Sequence, residues 1–348
     1  MPRAQRPEKG DPMYFATDWT RRIDFDALRS KRQARLRDQM EQHDLDGILA
    51  FEFANVRYIA GLRPLWTPNF DLMSAALITR TSQEVICWPF QDDTPHRRST
   101  MYWMNPDHVR PFPGIIDAPN AASALKTLRE GMELLGLRRG RLGVDLVKVP
   151  LVEVFSEVMP GIKLVDGDVC MKQARAVKSP EEVEVMRQNS DLVAIGFETA
   201  LKAVRAGRRE CEVLADVMHT FYTYGAEIPQ CNLVVCSGPN TAPMQRFAGD
   251  RMIQQGDLVF MDLGACWNGM FSEATRTVIC GTPNPQQRQI YQTVYDLHWR
   301  LIHAMKPGVT AKELQEAIEP AYRESPFYGH MQRMLIVHGI GVGFAEPP

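Results

Sequence analysis

The dipeptide Asn268-Gly269 separates two strand-like segments and constrains the fold more than any other feature, because it predicts a tight β-hairpin. The first segment, Leu258-Val259-Phe260-Met261, ends at Asp262, and Glu273 begins the second segment eleven residues further on. A hairpin sets these two carboxylates side by side on paired strands, where they repel. A divalent cation relieves that repulsion more fully than the neighbouring Arg276 does. The alternatives are an aspartate that caps a turn and a surface ion pair between Glu273 and Arg276.

A histidine occupies a comparable position near the end of the chain. His338 follows the apolar run Leu335-Ile336-Val337, a predicted strand, and precedes a glycine-rich turn. An imidazole at such a position suits a metal ligand, and the glycines allow the backbone to approach a bound group. Carboxylate oxygens combined with an imidazole favour Mn, Fe, Co or Zn. The alternative is a hydrogen-bonded core histidine.

A polar turn follows a third predicted strand. Ser237-Gly238-Pro239-Asn240-Thr241 comes directly after an apolar run that ends in Cys236. Loops that follow strands commonly form the walls of binding clefts, so Asn240 is a candidate cleft residue. An ordinary surface loop is the alternative.

Composition narrows the class of protein. The chain has 348 residues with 40 Lys and Arg against 42 Asp and Glu, and this near balance excludes the basic footprint of a nucleic-acid binder. No apolar run is long enough for a membrane span, and the N-terminal residues lack a secretory signal. The seven cysteines form no CxxC pair, so we expect neither a zinc knuckle nor a disulfide framework. These features predict a reduced, cytoplasmic enzyme.

The order of predicted elements divides the chain. Residues 1–22 are polar and predict a flexible lead. Strands that alternate with helices over 23–170 predict an α/β N-terminal domain. Strands and helices are more segregated over 171–348, which predicts an α+β catalytic domain. A strong helix start opens that domain, with Ser179 as N-cap and Glu182 completing a capping box. In the N-terminal domain, Asn55 is predicted to cap a short helix that ends at Gly61.

The motifs, taken in order, resemble the pita-bread metallopeptidases, a family that includes proline dipeptidase, aminopeptidase P and creatinase. The resemblance covers most of the chain, and its first half resembles a creatinase-type N-terminal domain. The matching segments are Asn55-Val56-Arg57-Tyr58-Ile59-Ala60-Gly61, Lys178-Ser179-Pro180-Glu181-Glu182, Arg205-Ala206-Gly207, Ser237-Gly238-Pro239-Asn240, Met261-Asp262-Leu263-Gly264, Thr275-Arg276-Thr277, Lys306-Pro307-Gly308 and His338-Gly339-Ile340-Gly341 through Glu346-Pro347-Pro348.

The resemblance implies a site with two divalent metal ions. It assigns one metal to Asp262, a bridging role to Glu273 and the other metal to His338. Metals held in this way activate a water molecule and polarise a scissile carbonyl group. It also implies a homodimer and a small-molecule or short-peptide substrate. Further candidates for the substrate cleft are Asn240, Arg276 and Trp66, and the last of these is also a candidate dimer contact.

Three departures from the family pattern shape the expectation. Glu273 stands where the family carries aspartate. Gln245 and Ala345 stand where its peptidases carry histidines that contact the peptide. The chain also ends before the segment that supplies two further glutamate ligands, so a truncated pita-bread domain that lacks its last strands is expected. The catalytic residues therefore stay unassigned.

Three functions follow from this pattern. The first is a metal-dependent hydrolase of the Xaa-Pro peptidase type. The second is a non-peptidase hydrolase or lyase of small molecules on the same fold, similar to creatinase, ectoine hydrolase or dimethylsulfoniopropionate lyase. The third is a non-catalytic binding homologue.

Overall fold

The computed structural model describes residues 23–63, 73–90, 93–114, 118–147, 149–229, 233–243, 246–328 and 337–346. The predicted lead at 1–22, Trp66, Gln245 and most of the predicted strand 335–337 lie outside the described residues. The chain divides into two compact units. The first runs to Gln188 and includes Asn268–Met270 and Gly341–Gly343, and the second contains Asn189–Trp267, Phe271–Ile340 and the residues from Phe344.

A five-stranded mixed sheet forms the centre of the first unit, with strand order β3-β2-β1-β4-β5. Strands β1, β2 and β3 pair antiparallel, whereas β1, β4 and β5 pair parallel, as the predicted alternation with helices requires. The strands are β1 (Gly47–Ala50), β2 (Ala75–Thr79), β3 (Val85–Trp88), β4 (Gly140–Val144) and β5 (Ile162–Asp166). The helices are α1 (Phe25–Gln42), α2 (Phe53–Ala60), α3 (Thr94–Thr100), α4 (Ala118–Leu134), α5 (Val149–Val158) and α6 (Asp168–Ala176).

The core of this unit lies between the sheet and helix α4. Leu77 and Trp88 of the sheet are buried in one cluster with Leu125 and Leu128 of the helix. Burial of each such side chain contributes about 1.5–3 kcal/mol. Gly131 allows the close approach, because a Cβ atom there would overlap the Trp88 ring.

The prediction that Asn55 caps helix α2 is wrong. The helix starts three residues earlier, after Glu52, and Asn55 is fully buried inside it. Its amide donates to Glu52 Oε2 at 2.9 Å and to Asp145 Oδ2 at 2.8 Å, while Arg175 donates to its carbonyl oxygen. The side chain of Asn55 therefore forms hydrogen bonds with three charged side chains. Within the described part of the chain it forms none with the free backbone N–H groups at the start of the helix. The predicted end at Gly61 is confirmed, with φ of 71°.

The entry to the long helix follows the sequence prediction. Ser179 and Glu182 form the expected reciprocal capping bonds, 2.9 and 3.3 Å long, at the start of helix α7 (Pro180–Ala203). Helix α6 occupies the polar segment in which the sequence places the domain boundary. Along α7, Val193 and Phe197 are buried, whereas Val183 and Leu201 are exposed.

The second unit combines a small sheet with three further helices. Strands β6 (Ile228–Pro229) and β7 (Val234–Ser237) pair antiparallel with successive parts of β8 (Leu258–Trp267), and β9 (Met270–Ile279) also pairs with β8. The helices are α8 (Glu210–Thr223), α9 (Pro285–Ala304) and α10 (Ala311–Glu324). The side chains of Asn284 and Thr310 cap α9 and α10.

None of the described helices combines the length and apolarity that a membrane span requires. The six cysteines in the described part of the chain are free thiols.

Candidate functional site

The predicted hairpin is present and places the two carboxylates on one face. Asn268 and Gly269 have φ values of 47° and 79°, the left-handed pair that a two-residue hairpin turn needs. With two loop residues between β8 and β9, Asp262 lies opposite Thr275, and Glu273 is the diagonal neighbour on the same face. The register thus corrects the expected side-by-side arrangement to a diagonal one.

Asp262 is partly buried at the centre of this face. Burial raises the pKa of its carboxyl group, while a hydrogen bond with Thr275 and the nearby His338 oppose the shift. Its Oδ1 atom is buried without a hydrogen-bond partner among the described residues. A buried carboxylate oxygen without a partner is costly, so this atom is available to a cation.

Glu273 and His338 form the closest contact of the site. Nε2 of His338 lies 2.7 Å from Oε1 of Glu273, and Nδ1 lies 2.9 Å from the carbonyl oxygen of Gly339. Burial raises the pKa of Glu273, and the charge of Asp262 adds to this shift while His338 opposes it. For both carboxyl groups burial is the largest cause of the raised pKa, because it disfavours the charged form.

The side chains of Asp262, Glu273 and His338 have the donor atoms that a divalent cation prefers, although they do not converge on one point. Two carboxylates and one imidazole suit a transition-metal ion. Oδ1 of Asp262 has no hydrogen-bond partner among the described residues and can donate a lone pair to such an ion. Among the described residues no group of three or more His, Cys, Asp or Glu side chains converges closely enough to hold an ion as it stands. His338 is bonded to Glu273, so a cation would have to replace that hydrogen bond.

The other predicted site residues lie at different places. Asn240 follows β7 in a 3-10 turn, Gly238–Thr241. Arg276 donates to the carbonyl oxygen of Thr275 and lies over the Phe197 ring, 5.6 Å from its centroid. The alternative Glu273–Arg276 ion pair is therefore wrong, since Glu273 pairs with His338. Ala345 is exposed and supplies no polar side chain. Trp66 and Gln245 lie outside the described residues.

Two polar residues of this region were not predicted from the sequence. Thr275 belongs to the quoted Thr275-Arg276-Thr277 motif but was not given a role. Glu210 is fully buried at the start of α8 and accepts hydrogen bonds from the backbone N–H and the hydroxyl of Ser237, both at 2.7 Å. The sequence signal nearest to it is the Arg205-Ala206-Gly207 motif, which matches the family pattern and precedes Glu210 by three residues.

An ion pair explains the glycine in the Ser-Gly-Pro-Asn turn. Arg251 donates to Ser237 Oγ and, at 2.6 Å, to Asp257 Oδ2. A Cβ atom on Gly238 would overlap both Arg251 and Asp257, and its φ of 50° favours glycine as well. The motif is therefore built around packed charges that hold the turn in place.

Comparison with sequence families identifies the class of protein. Residues 32–177 match the Creatinase/Prolidase N-terminal domain, and residues 184–348 match Metallopeptidase family M24. The chain therefore belongs to metallopeptidase family M24, the pita-bread metallohydrolases, with a creatinase-type domain in front. The fold class predicted from the sequence is confirmed.

Individual relatives agree with this assignment. The chain is 28% identical to an Xaa-Pro dipeptidase of Pyrococcus horikoshii over 309 residues, which are 89% of this chain and 81% of the relative. It is 33% identical to an Xaa-Pro dipeptidase of Pyrococcus furiosus over 210 residues, a match that spans only 60% of each protein. A solved prolidase structure from Pyrococcus furiosus superposes with a TM-score of 0.70 at 26% identity, covering 90% of this chain and 85% of the solved chain.

Proposed function

We propose that this protein is a metal-dependent peptidase that hydrolyses short peptides of the Xaa-Pro type. One observation carries the proposal: two partly buried carboxylates share one hairpin face with an imidazole, and Asp262 Oδ1 has no partner among the described residues. The names of the relatives supply the peptide class.

Three side chains of the site would act as ligands of the metal. Asp262 and Glu273 contribute anionic oxygen atoms, and His338 contributes Nε2. The Gly339 carbonyl oxygen accepts from Nδ1 and thereby fixes the orientation of the ring. A bound divalent ion lowers the pKa of a water molecule and polarises a carbonyl group. We further propose two such ions, as in the family to which the chain belongs. The homodimer and the cytoplasmic location stay predictions.

The test is an activity assay on full-length protein loaded separately with Mn²⁺, Co²⁺ or Zn²⁺. Ala-Pro should be hydrolysed faster than Ala-Ala, and a chelator should abolish the activity. Glu273→Gln should lower kcat at least about tenfold, because it removes an anionic ligand. Asp191→Asn is the matched control, since Asp191 is exposed on α7. Hydrolysis that survives both the chelator and Glu273→Gln would contradict the proposal.

A second candidate is a non-peptidase hydrolase or lyase that acts on a small polar molecule. Two observations favour it. Ala345 offers no imidazole to a peptide, and the 2.7 Å contact between Glu273 and His338 is a ready pair for proton transfer. Betaine-like and cyclic amide substrates should be assayed beside the dipeptides. Turnover of these compounds without turnover of Ala-Pro would favour the second candidate.

A further inference from the structure

An exposed arginine beside the Ser-Gly-Pro-Asn turn is held in place by a buried carboxylate. We propose that Arg246 is an anion-binding residue that receives the carboxylate of the substrate, and that Glu210 positions it through Asn240. The inference rests on the proposed function and extends it, because it specifies a short peptide with a free C-terminal carboxylate.

The chain of contacts begins at Glu210, which is fully buried. Besides the two bonds from Ser237, it accepts the Nδ2 group of Asn240, at 3.1 Å on Oε1 and 3.2 Å on Oε2, and the backbone N–H of Gly249 at 3.3 Å. A carboxylate can only accept hydrogen bonds, so it selects the amide orientation in which Nδ2 of Asn240 points inward.

Because Nδ2 of Asn240 points inward to Glu210, the side-chain carbonyl oxygen of Asn240 points outward. Nη1 of Arg246 donates to that oxygen at 2.7 Å. The side chain of Arg246 is exposed, and an exposed arginine ordinarily loses rotamer entropy when it binds a ligand. Asn240 accepts a hydrogen bond from one of the five N–H groups of the Arg246 guanidinium. The remaining N–H groups are held in one orientation and can donate two parallel hydrogen bonds to an anion.

The strand register gives the distance along β7 from Asp262 to the start of the turn. Val234 pairs with Asp262 and Ser237 pairs with Val259, so the turn that carries Asn240 begins three residues along β7 from Asp262. At about 3.3 Å per residue this is roughly 10 Å. An extended peptide covers that distance in about three residues. The substrate class is therefore a short peptide with a free C-terminal carboxylate, and about three extended residues span the distance from Asp262 to the start of the turn.

A neighbouring feature supports a binding role for this loop. Phe247, the residue after Arg246, is 75% exposed, so its ring is accessible to a ligand that Arg246 binds. A cation beside an exposed aromatic ring matches the end of a peptide, with a carboxylate and an apolar side chain.

The test compares two probes on full-length protein: the tetrapeptide Ala-Pro-Ala-Ala and its C-terminal amide. Binding is measured by calorimetry on metal-free protein, and KM and kcat are measured on metal-loaded protein. Wild type should bind the free acid about tenfold more tightly than the amide. Arg246→Ala should abolish this preference and raise KM for the acid with little change in kcat, whereas Arg288→Ala, an exposed arginine on α9, should retain it.

The positioning role has its own variants. Asn240→Ala and Glu210→Gln should each lower the acid-over-amide preference several-fold without lowering the affinity for the amide. Asn240→Ala retains the buried carboxylate, so it tests the positioning role even where Glu210→Gln fails to fold. A preference unchanged in Asn240→Ala would overturn the positioning role.

The outcomes separate this inference from the proposed function. An acid preference that Arg246→Ala removes, in a protein that hydrolyses no peptide, supports the anion site and contradicts the peptidase. Hydrolysis of peptides with equal affinity for acid and amide supports the peptidase and overturns the anion site. Retention of the preference in Arg246→Ala overturns it as well.

Discussion

Nε2 of His338 and Oε1 of Glu273 lie within hydrogen-bond distance of each other. The carbonyl oxygen of Gly339 lies 2.9 Å from Nδ1 of His338 and can only accept, so Nδ1 carries a hydrogen. Nε2 then faces the carboxylate of Glu273 at 2.7 Å, a contact that needs a second hydrogen between the two atoms. A metal ion that binds both atoms has to displace this hydrogen.

Binding of the divalent ion that contacts both His338 and Glu273 should therefore release about one proton per protein molecule. The sign follows directly: affinity for Mn²⁺ or Zn²⁺ should rise as the pH rises, because proton and metal compete for the same atoms. The measurement is calorimetry of metal uptake in two buffers with different ionisation enthalpies. Glu273→Gln should lower the affinity at least about tenfold, and Asp191→Asn should leave it unchanged. Metal uptake without proton release would show that the ion does not displace the His338–Glu273 bond.

The sequence predicted this hairpin because its signal is local. Asn268-Gly269 defines the turn, and two residues on the flanking strands then share a face whatever the rest of the chain does. The roles of Asn55 and Glu210 could not be predicted from local sequence patterns. The partners of Asn55, at positions 145 and 175, are about a hundred residues away, and no periodicity reports such contacts. Asn240 was predicted as a cleft residue, but the buried carboxylate that orients it was not.

Asn55→Ala should destabilise the first unit by about 2–4 kcal/mol. The substitution removes the hydrogen bonds that the buried amide makes with Glu52, Asp145 and Arg175, and hydrogen bonds to charged groups contribute more than neutral ones. Urea unfolding followed by circular dichroism measures the effect. Tyr58→Phe is the comparison, because it removes one hydroxyl bond to the Ala174 carbonyl oxygen and should cost about 1 kcal/mol. Equal losses in the two variants would show that Asn55 contributes no more than a single neutral hydrogen bond.

Gly196→Ala should also destabilise the protein, although alanine favours helices. Gly196 is buried in α7, and a Cβ atom there would overlap the ring of Phe221 on α8. The packing cost of about 1–3 kcal/mol exceeds the helix-propensity gain of about 1 kcal/mol. Ala194→Gly at an exposed position of the same helix should cost about 1 kcal/mol by propensity alone.

A second substitution separates overpacking from other causes. Phe221→Leu makes room beside residue 196 and should itself be destabilising, because it removes buried ring atoms. Combined with Gly196→Ala, it should cost less than the two single changes added together. Additive losses would mean that the Cβ atom and the ring do not meet.

The last prediction concerns pH and the ion pair that holds the Ser-Gly-Pro-Asn turn. Burial raises the pKa of Asp257. The hydrogen bonds from Arg251 and from the backbone N–H of Gln254, together with the Arg251 charge, lower this pKa by more than burial raises it. The net effect is a pKa below the usual value of 3.8. The folded state therefore favours the ionised carboxylate. Its contribution to the free energy of unfolding is fully present above the unfolded pKa and is lost as the pH falls through the folded one.

Asp257→Asn should thus reduce stability by about 1–3 kcal/mol at pH 7, since it leaves Arg251 without its anionic partner. The difference between variant and wild type should shrink as the pH falls below about 4, where the unfolded carboxyl group begins to protonate. Urea unfolding at pH 7, 4 and 3 measures this difference. Asp250→Asn, at an exposed position of the same loop, should change stability by less than about 0.5 kcal/mol at each pH. A loss for Asp257→Asn that stays constant from pH 7 to pH 3 would assign the effect to hydrogen-bond geometry instead of charge.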